Sequence, residues 1–299
     1  MKHPYNVPVL SDKEKPSYEI QAKMKECIND TYILNGKLLP CTTFDPCYLS
    51  EGFVVYEVIR VIGGKYLFLE DHIARLESTI KLSGLSPGID PAEMIRQLHR
   101  LVKANNRMDG NVKLAISYHG ASFSCYRLYY ITHQYPSEKD YAEGVRLASL
   151  RFVRKEPHIK IWRPDFRETV NKIISAENVW DVLLLNEEGL VSEASKANIF
   201  FIRGNVLYTP PLSTVLPGIT RNYIFTICRQ QHIDLHEETI YYDVLDGFNS
   251  AFITGTSPKV LPVSQIDHFR FSVPHELMTI LAEEYDLLVK NHLRNVKYS

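Results

Sequence analysis

Apolar and polar positions alternate in short runs through the first half of the chain. From Tyr32, YILNGKLLP places apolar residues on either side of Asn35-Gly36, and FVVYEVIRVIGGKYLFLE does the same about Gly63-Gly64. Two-residue links of this kind predict β-hairpins, because both central positions of the tight turn need positive φ. The period then changes. In EDHIARLESTIKLSGL, Ile73, Leu76, Ile80 and Leu82 recur at helical spacing and Gly84 supplies a stop, and PAEMIRQLHRLVKANN predicts a second helix. VKLAISYHG and SCYRLYYITHQY read as two strands, and the polar, proline-bearing QYPSEKDYAEG reads as a linker. Beyond Val145 the pattern predicts a strand in VRLASLRFV, a helix across FRETVNKIISAEN, a meander through VSEASKANIFFIRGNVLYTPP and a helix from about Thr220. Strands are expected around IYYDVL and SAFITGT. The expected organisation is an extension over residues 1–29 with one helix around SYEIQAKMKECIND, a small domain over 30–135, a linker over 136–144 and a larger domain over 145–299.

Composition narrows the partners. With 299 residues, 45% hydrophobic and 11% aromatic, the chain can bury enough apolar surface for two globular domains. Its net charge of −1 offers no global field for a nucleic acid or an anionic membrane, so small molecules are the expected partners. No apolar run approaches a membrane span and the N-terminal stretch lacks a signal-peptide pattern, which makes the cytoplasm the expected location. Cys27, Cys41, Cys47, Cys125 and Cys228 form an odd set without a C-x-x-C pair, so they are expected to be reduced and mostly buried. No metal site is expected: His232 and His236 lie four apart in HIDLH, but in a strand that spacing does not bring two rings to one ion. Neither G-x-G-x-x-G after a strand, nor a P-loop, nor G-x-S-x-G occurs.

The remaining candidates suit a phosphate monoester joined to a basic aromatic ring. In LPGITR, Gly218 permits a tight turn into a helix whose first amides, at Ile219 and Thr220, form an anion site. In SAFITGTSP a strand runs into Thr254, Thr256 and Ser257, hydroxyls gathered about Gly255. Arg75, in HIARL, carries a guanidinium able to grip phosphate in bidentate fashion. Singly, each reads equally as a glycine turn, a loop and a solvated helix residue.

Together and in order, YEVIRVIGGKYLFLEDHIARL, PHIK, GLVSEASKANIF, LYTPPLSTVLPGITR and FITGTSPKVLPV resemble the fold-type IV pyridoxal-phosphate enzymes, over about residues 32–265. That family includes branched-chain and D-amino acid aminotransferases and 4-amino-4-deoxychorismate lyase. The resemblance implies an α+β fold of two domains, D-amino acid aminotransferase-like, with pyridoxal 5′-phosphate between the domains. It implies a homodimer whose active sites are completed by a loop of the partner subunit. Lys160 in PHIK matches the lysine that bonds the cofactor, and Asp181, 21 residues on, falls in register with the strand before the meander; Lys155 and Lys172 are the rivals. Glu193 matches the carboxylate set against the pyridine nitrogen, holding it protonated so that the ring draws electrons from the substrate Cα. Ile219, Thr220, Thr256, Ser257 and Arg75 match the phosphate site.

Some positions depart from the family. After the lysine, IWRPDF supplies Arg163 and Asp165 where many members have Asn and branched-chain enzymes have Tyr. SYHGAS puts His119 where D-amino acid aminotransferases keep a carboxylate-trapping Arg, which argues against D-specificity. Glu57-Val58 stands closer to aminotransferases than to the lyase, which has Thr-Thr, and Leu212 and Val215 suggest an apolar lining. The expected activity is amino transfer from an amino acid, branched-chain or otherwise hydrophobic, to a 2-keto acid by ping-pong kinetics. The lyase and a binding protein without chemistry are the alternatives.

Overall fold

The computed structural model describes residues 26–296. In chain order the elements are β1 (Ile28–Leu34), β2 (Lys37–Pro40), β3 (Phe53–Ile62), β4 (Lys65–Tyr66), α1 (Leu69–Leu82), α2 (Pro91–Asn105), β5 (Gly110–His119), β6 (Ser122–Ile131) and α3 (Glu138–Glu143). They continue with β7 (Val145–Arg151), α4 (Pro164–Glu177), β8 (Asp181–Leu185), β9 (Val191–Ala194), β10 (Asn198–Arg203), β11 (Val206–Thr209) and α5 (Ile219–Gln230). β12 (Leu235–Glu237), β13 (Ser250–Gly255), β14 (Lys259–Ile266), β15 (Phe269–Arg270) and α6 (Glu276–Asn295) complete the α+β fold. The described chain forms two compact units. The first holds residues up to 134 with 159–164 and 289 onward; the second holds 135–158 and 165–288.

The first unit is built on an antiparallel sheet in the order β2-β1-β6-β5-β3-β4. Its hairpin turns follow from their residues: Asn35 and Gly36 sit at φ 45° and 75°, and Gly63 and Gly64 at 55° and 76°. Helices α1 and α2 bury Ile73, Leu76, Leu98 and Leu101 among Ile59, Val112, Leu114 and Ile116 of the sheet. Tyr32, Tyr48, Tyr56 and Tyr129 form a separate aromatic cluster with Ala115 and Val54. Residues 159–164 run along β3, where the Tyr56 N–H donates to the Lys160 carbonyl at 3.1 Å and the Trp162 N–H to Val54 at 2.8 Å. This pairing fixes the backbone of the PHIK lysine.

The second unit carries a mixed sheet in the order β12-β11-β10-β13-β14-β7-β8-β9, with β15 on β14. β7 and β8 are parallel and joined by α4, as a parallel pair requires a crossover. All five residues of β8 are buried, so it reads as an unbroken apolar run, DVLLL, after its acid. β10 lies between β11 and β13, carrying the meander toward α5.

Two expectations are corrected, at IYYDVL and at the cysteines, and the 136–144 stretch gains a short helix. IYYDVL is not a strand: Tyr242–Gly247 form a 3₁₀ turn in which Leu245 is buried while Tyr241 and Val244 face out, a spacing that a two-residue period does not fit. Within 136–144, Ser137 accepts from the Asp140 amide and Asp140 returns a bond to Ser137, a capping box that starts α3. Cys27 and Cys41, expected to be reduced, are joined as a disulfide with Cα atoms 6.1 Å apart, while Cys47, Cys125 and Cys228 are free thiols. Of the helix expected around residues 17–30, the part before residue 26 lies outside the described residues, and from Ile28 the chain is strand. Among the described residues no helix is long and apolar enough to cross a membrane.

Candidate active site

In the first unit the chemistry gathers on β3 and α1. Glu57 is fully buried, and Arg75 grips it from one turn of α1 through Nε to Oε1 and Nη2 to Oε2, both at 2.7 Å. His72, one turn earlier on the same helix face, brings Nδ1 to Oε2 at 2.8 Å. Burial alone would raise the Glu57 carboxyl, but the Arg75 charge, with hydrogen bonds from His72 and Arg75, overrides it and holds the group well below the usual carboxylate range. Burial pushes His72 below its ordinary 6.5, only partly offset by Glu57. Its Nε2 has no hydrogen-bond partner among the described residues. The plane of the Arg75 guanidinium is therefore set by Glu57.

Lys160 belongs to the same unit. Its amide approaches the Thr79 hydroxyl at 3.3 Å, and its Nζ lies 4.9 Å from the centre of the Tyr56 ring. Trp162 meets Tyr56 edge-on at 5.6 Å, and Lys113, ion-paired to Glu26 at 2.7 Å, stands 3.8 Å over the indole. The rival lysines differ in setting: Lys155 is exposed, and Lys172 is exposed and pairs with Glu168 at 2.8 Å along α4. Asp165, a departure from the family pattern, is the first-turn acid of α4, where the helix dipole favours it. His119 is exposed at the end of β5 and lines a cavity of about 210 Å³ with Tyr48 and Arg127.

In the second unit Glu193 sits on β9, 3% exposed. Its Oε2 accepts from the Asn198 Nδ2 and the Leu216 amide, each at 3.2 Å, and its Oε1 faces the Arg154 guanidinium at 3.2 Å. The turn between β9 and β10 is pinned by the buried Asp181, which accepts from the Ser195 hydroxyl and the Lys196 amide. Two residues after Leu216, Gly218 opens α5 with no side-chain cap, so the first amides of the helix, at Ile219 and Thr220, keep no partner from a capping side chain. Both residues are buried, at 5% and 1% exposure. Thr220 Oγ1 is 3.1 Å from the hydroxyl of Tyr285 on α6, a phenol that burial keeps protonated. Thr256 and Ser257 lie half-buried in the turn between β13 and β14, which Tyr141 braces by donating to the Pro258 carbonyl at 3.0 Å. The hydroxyl of Thr254, buried at the end of β13, has no hydrogen-bond partner among the described residues.

These groups fit pyridoxal phosphate. An uncapped helix start beside hydroxyls suits its phosphate, and a buried acid locked in place suits a protonated ring nitrogen. The sequence reading missed Asn198, Arg154 and Tyr285. Asn198 does lie in the quoted SEASKANIF, but nothing in that string says which of its polar residues turns inward. No group of three or more potential metal ligands occurs among the described residues.

The second unit thus sets a buried acid close in the chain to an uncapped helix start. The family model for class IV amino-transferases matches residues 54–266, and the chain belongs to that family. It is a pyridoxal-phosphate-dependent aminotransferase. The D-alanine aminotransferase of Bacillus licheniformis is 29% identical over 71% of this chain and 78% of its own. Among solved structures, the branched-chain aminotransferase of Thermoproteus uzoniensis superposes with a TM-score of 0.77 at 25% identity, over 88% of this chain and 96% of that one. That of Escherichia coli gives 0.78 at 18%, over 89% and 96%.

Proposed function

We propose that Lys160 is the cofactor-bonding and proton-transferring residue, that Glu193 holds the proton of the ring nitrogen, and that Ile219, Thr220, Thr256, Ser257 and Arg75 bind the phosphate. One observation carries this reading. Leu216, two residues before the Gly218 from which α5 starts, donates its amide to Glu193, so the acid is tied to the turn that leads into the proposed phosphate site. A ligand that satisfies both needs a basic ring nitrogen and a phosphate on one frame.

When bound, the cofactor supplies an electron sink for the bond being broken at the substrate Cα. The chain supplies the rest. Lys160, whose backbone is paired to β3, would serve as the base that takes the substrate's Cα proton and as the acid that returns it. Glu193, ion-paired to Arg154 and given two further donors, is held in one position from which it would meet the ring nitrogen. Donor and acceptor then use the same groups in turn, which gives ping-pong kinetics.

We assign hydrophobic amino acids as donors. Tyr56 and Trp162 form an aromatic wall beside Lys160, and the charge of Lys113 behind it is balanced by Glu26. Val215 adds a buried apolar residue ahead of α5, whereas Leu212 is exposed on its 3₁₀ turn. We also propose a homodimer, the commonest closed symmetry.

The test is borohydride reduction of the yellow holoenzyme followed by peptide mass spectrometry, with the reduced cofactor expected on Lys160. An adduct on Lys155 or Lys172 would overturn the assignment. A panel of amino donors, read by the cofactor absorbance, then ranks substrates, and turnover that needs no keto acid would make the enzyme a lyase.

A further inference from the structure

One side chain ties the ring-nitrogen acid to the phosphate turn. Asn198 opens β10 at 5% exposure, and its Nδ2 donates to Glu193 Oε2 at 3.2 Å and to the Leu216 carbonyl at 3.0 Å. Both partners are acceptors, which fixes the amide's orientation, since the opposite flip would set oxygen against oxygen. Its Oδ1 is thereby turned to Gly218, so closely that a Cβ on that glycine would stand 1.8 Å from it. One amide therefore touches the acid, the backbone at Leu216 two residues before Gly218, and Gly218 itself, from which α5 starts.

We propose that Asn198 is a positioning residue that sets the distance between the ring-nitrogen partner and the phosphate-binding turn. The inference rests on the cofactor reading above and deepens it. Only a side chain with two N–H donors in a fixed fork can hold a carboxylate and a carbonyl at once, and a neutral one does so without altering the acid's charge. The neighbouring glycine follows from the same geometry, because the amide oxygen occupies the space that any larger residue would need. A rigid ligand with two anchoring groups binds tightly when both subsites stand at its own spacing, for the second contact is then intramolecular. Without Asn198 each subsite still works, but not in register with the other.

The experiment compares two ligands on the cofactor-free full chain: inorganic phosphate, which needs one subsite, and pyridoxamine 5′-phosphate, which needs both. In Asn198→Ala, phosphate affinity is expected to stay within about twofold of wild type while pyridoxamine phosphate weakens about tenfold or more, the size of one positioned hydrogen bond to a charged group. Asn198→Asp keeps the shape and removes the donor, and is expected to lose pyridoxamine phosphate affinity at least as much. If the alanine variant does not fold, this isosteric variant carries the test. Unchanged pyridoxamine phosphate affinity in either variant overturns the proposal, as does an equal loss of both ligands in Asn198→Ala. A wild-type chain that binds phosphate but no pyridoxamine phosphate overturns the cofactor reading and the proposal together; wild-type binding with a silent Asn198→Ala overturns the proposal alone.

Discussion

His72, Glu57 and Arg75 make the first unit acid-sensitive through buried contacts rather than surface charge. The folded chain holds His72 below its ordinary 6.5, so on acidification the unfolded chain takes up a proton that the folded chain refuses. Stability from this residue is fully present above that value and declines as pH falls below it. Glu57 acts lower: its depressed carboxyl adds stability above the ordinary 4.5 that is lost only on further acidification. Thermal unfolding followed by circular dichroism should show the midpoint falling between about pH 7 and pH 5, and His72→Gln should flatten that slope. A wild-type midpoint constant over this range would contradict the account. At the reacting centre, Lys160→Ala should bind cofactor but lose about 10²–10⁴-fold or more in turnover, the contribution of a placed acid and base. Glu193→Gln should keep the lysine adduct and lose about 10- to 100-fold, as expected when a charged hydrogen bond becomes neutral. Stopped-flow single turnovers measure both.

At the scale of elements, the start of α5 is the most constrained. Gly218→Ala drives a methyl group into the Asn198 amide and should cost about 1–3 kcal/mol of stability as well as cofactor affinity. Equilibrium urea unfolding of the apo and holo forms separates the two losses. Tyr285→Phe removes the hydroxyl that faces Thr220 and should weaken cofactor binding several-fold with little effect on folding, measurable by equilibrium dialysis. The periodicity that predicts α1, α2, α5 and the two glycine hairpins succeeds because each buries one clear face or turns on residues that tolerate positive φ. It fails at IYYDVL, where β-branched and aromatic residues suggest a strand but the chain winds into a 3₁₀ turn. At the site, Glu193 and the Gly218 turn are legible because they share one contiguous motif. Asn198, Arg154 and Tyr285 are not, because their roles arise from contacts 5, 39 and 65 residues apart along the chain, for which a single sequence holds no periodic or compositional mark.

For the whole molecule, the expected homodimer predicts that activity falls on dilution in step with dissociation, and sedimentation at matched concentrations tests it; a fully active monomer would refute it. The first unit is assembled from three separated stretches, 26–134, 159–164 and from 289 onward, so no single cut of the chain releases it intact. Expressed as residues 26–134, it would lack the strand segment whose carbonyl at Lys160 receives the Tyr56 amide. The contact between Thr220 and Tyr285 extends the same logic to the order of synthesis. A ribosome makes the uncapped start of α5 long before it makes Tyr285 on α6, so the hydroxyl that faces Thr220 arrives only late in synthesis, and a nonsense mutation ahead of Tyr285 would remove that contact along with the end of the chain.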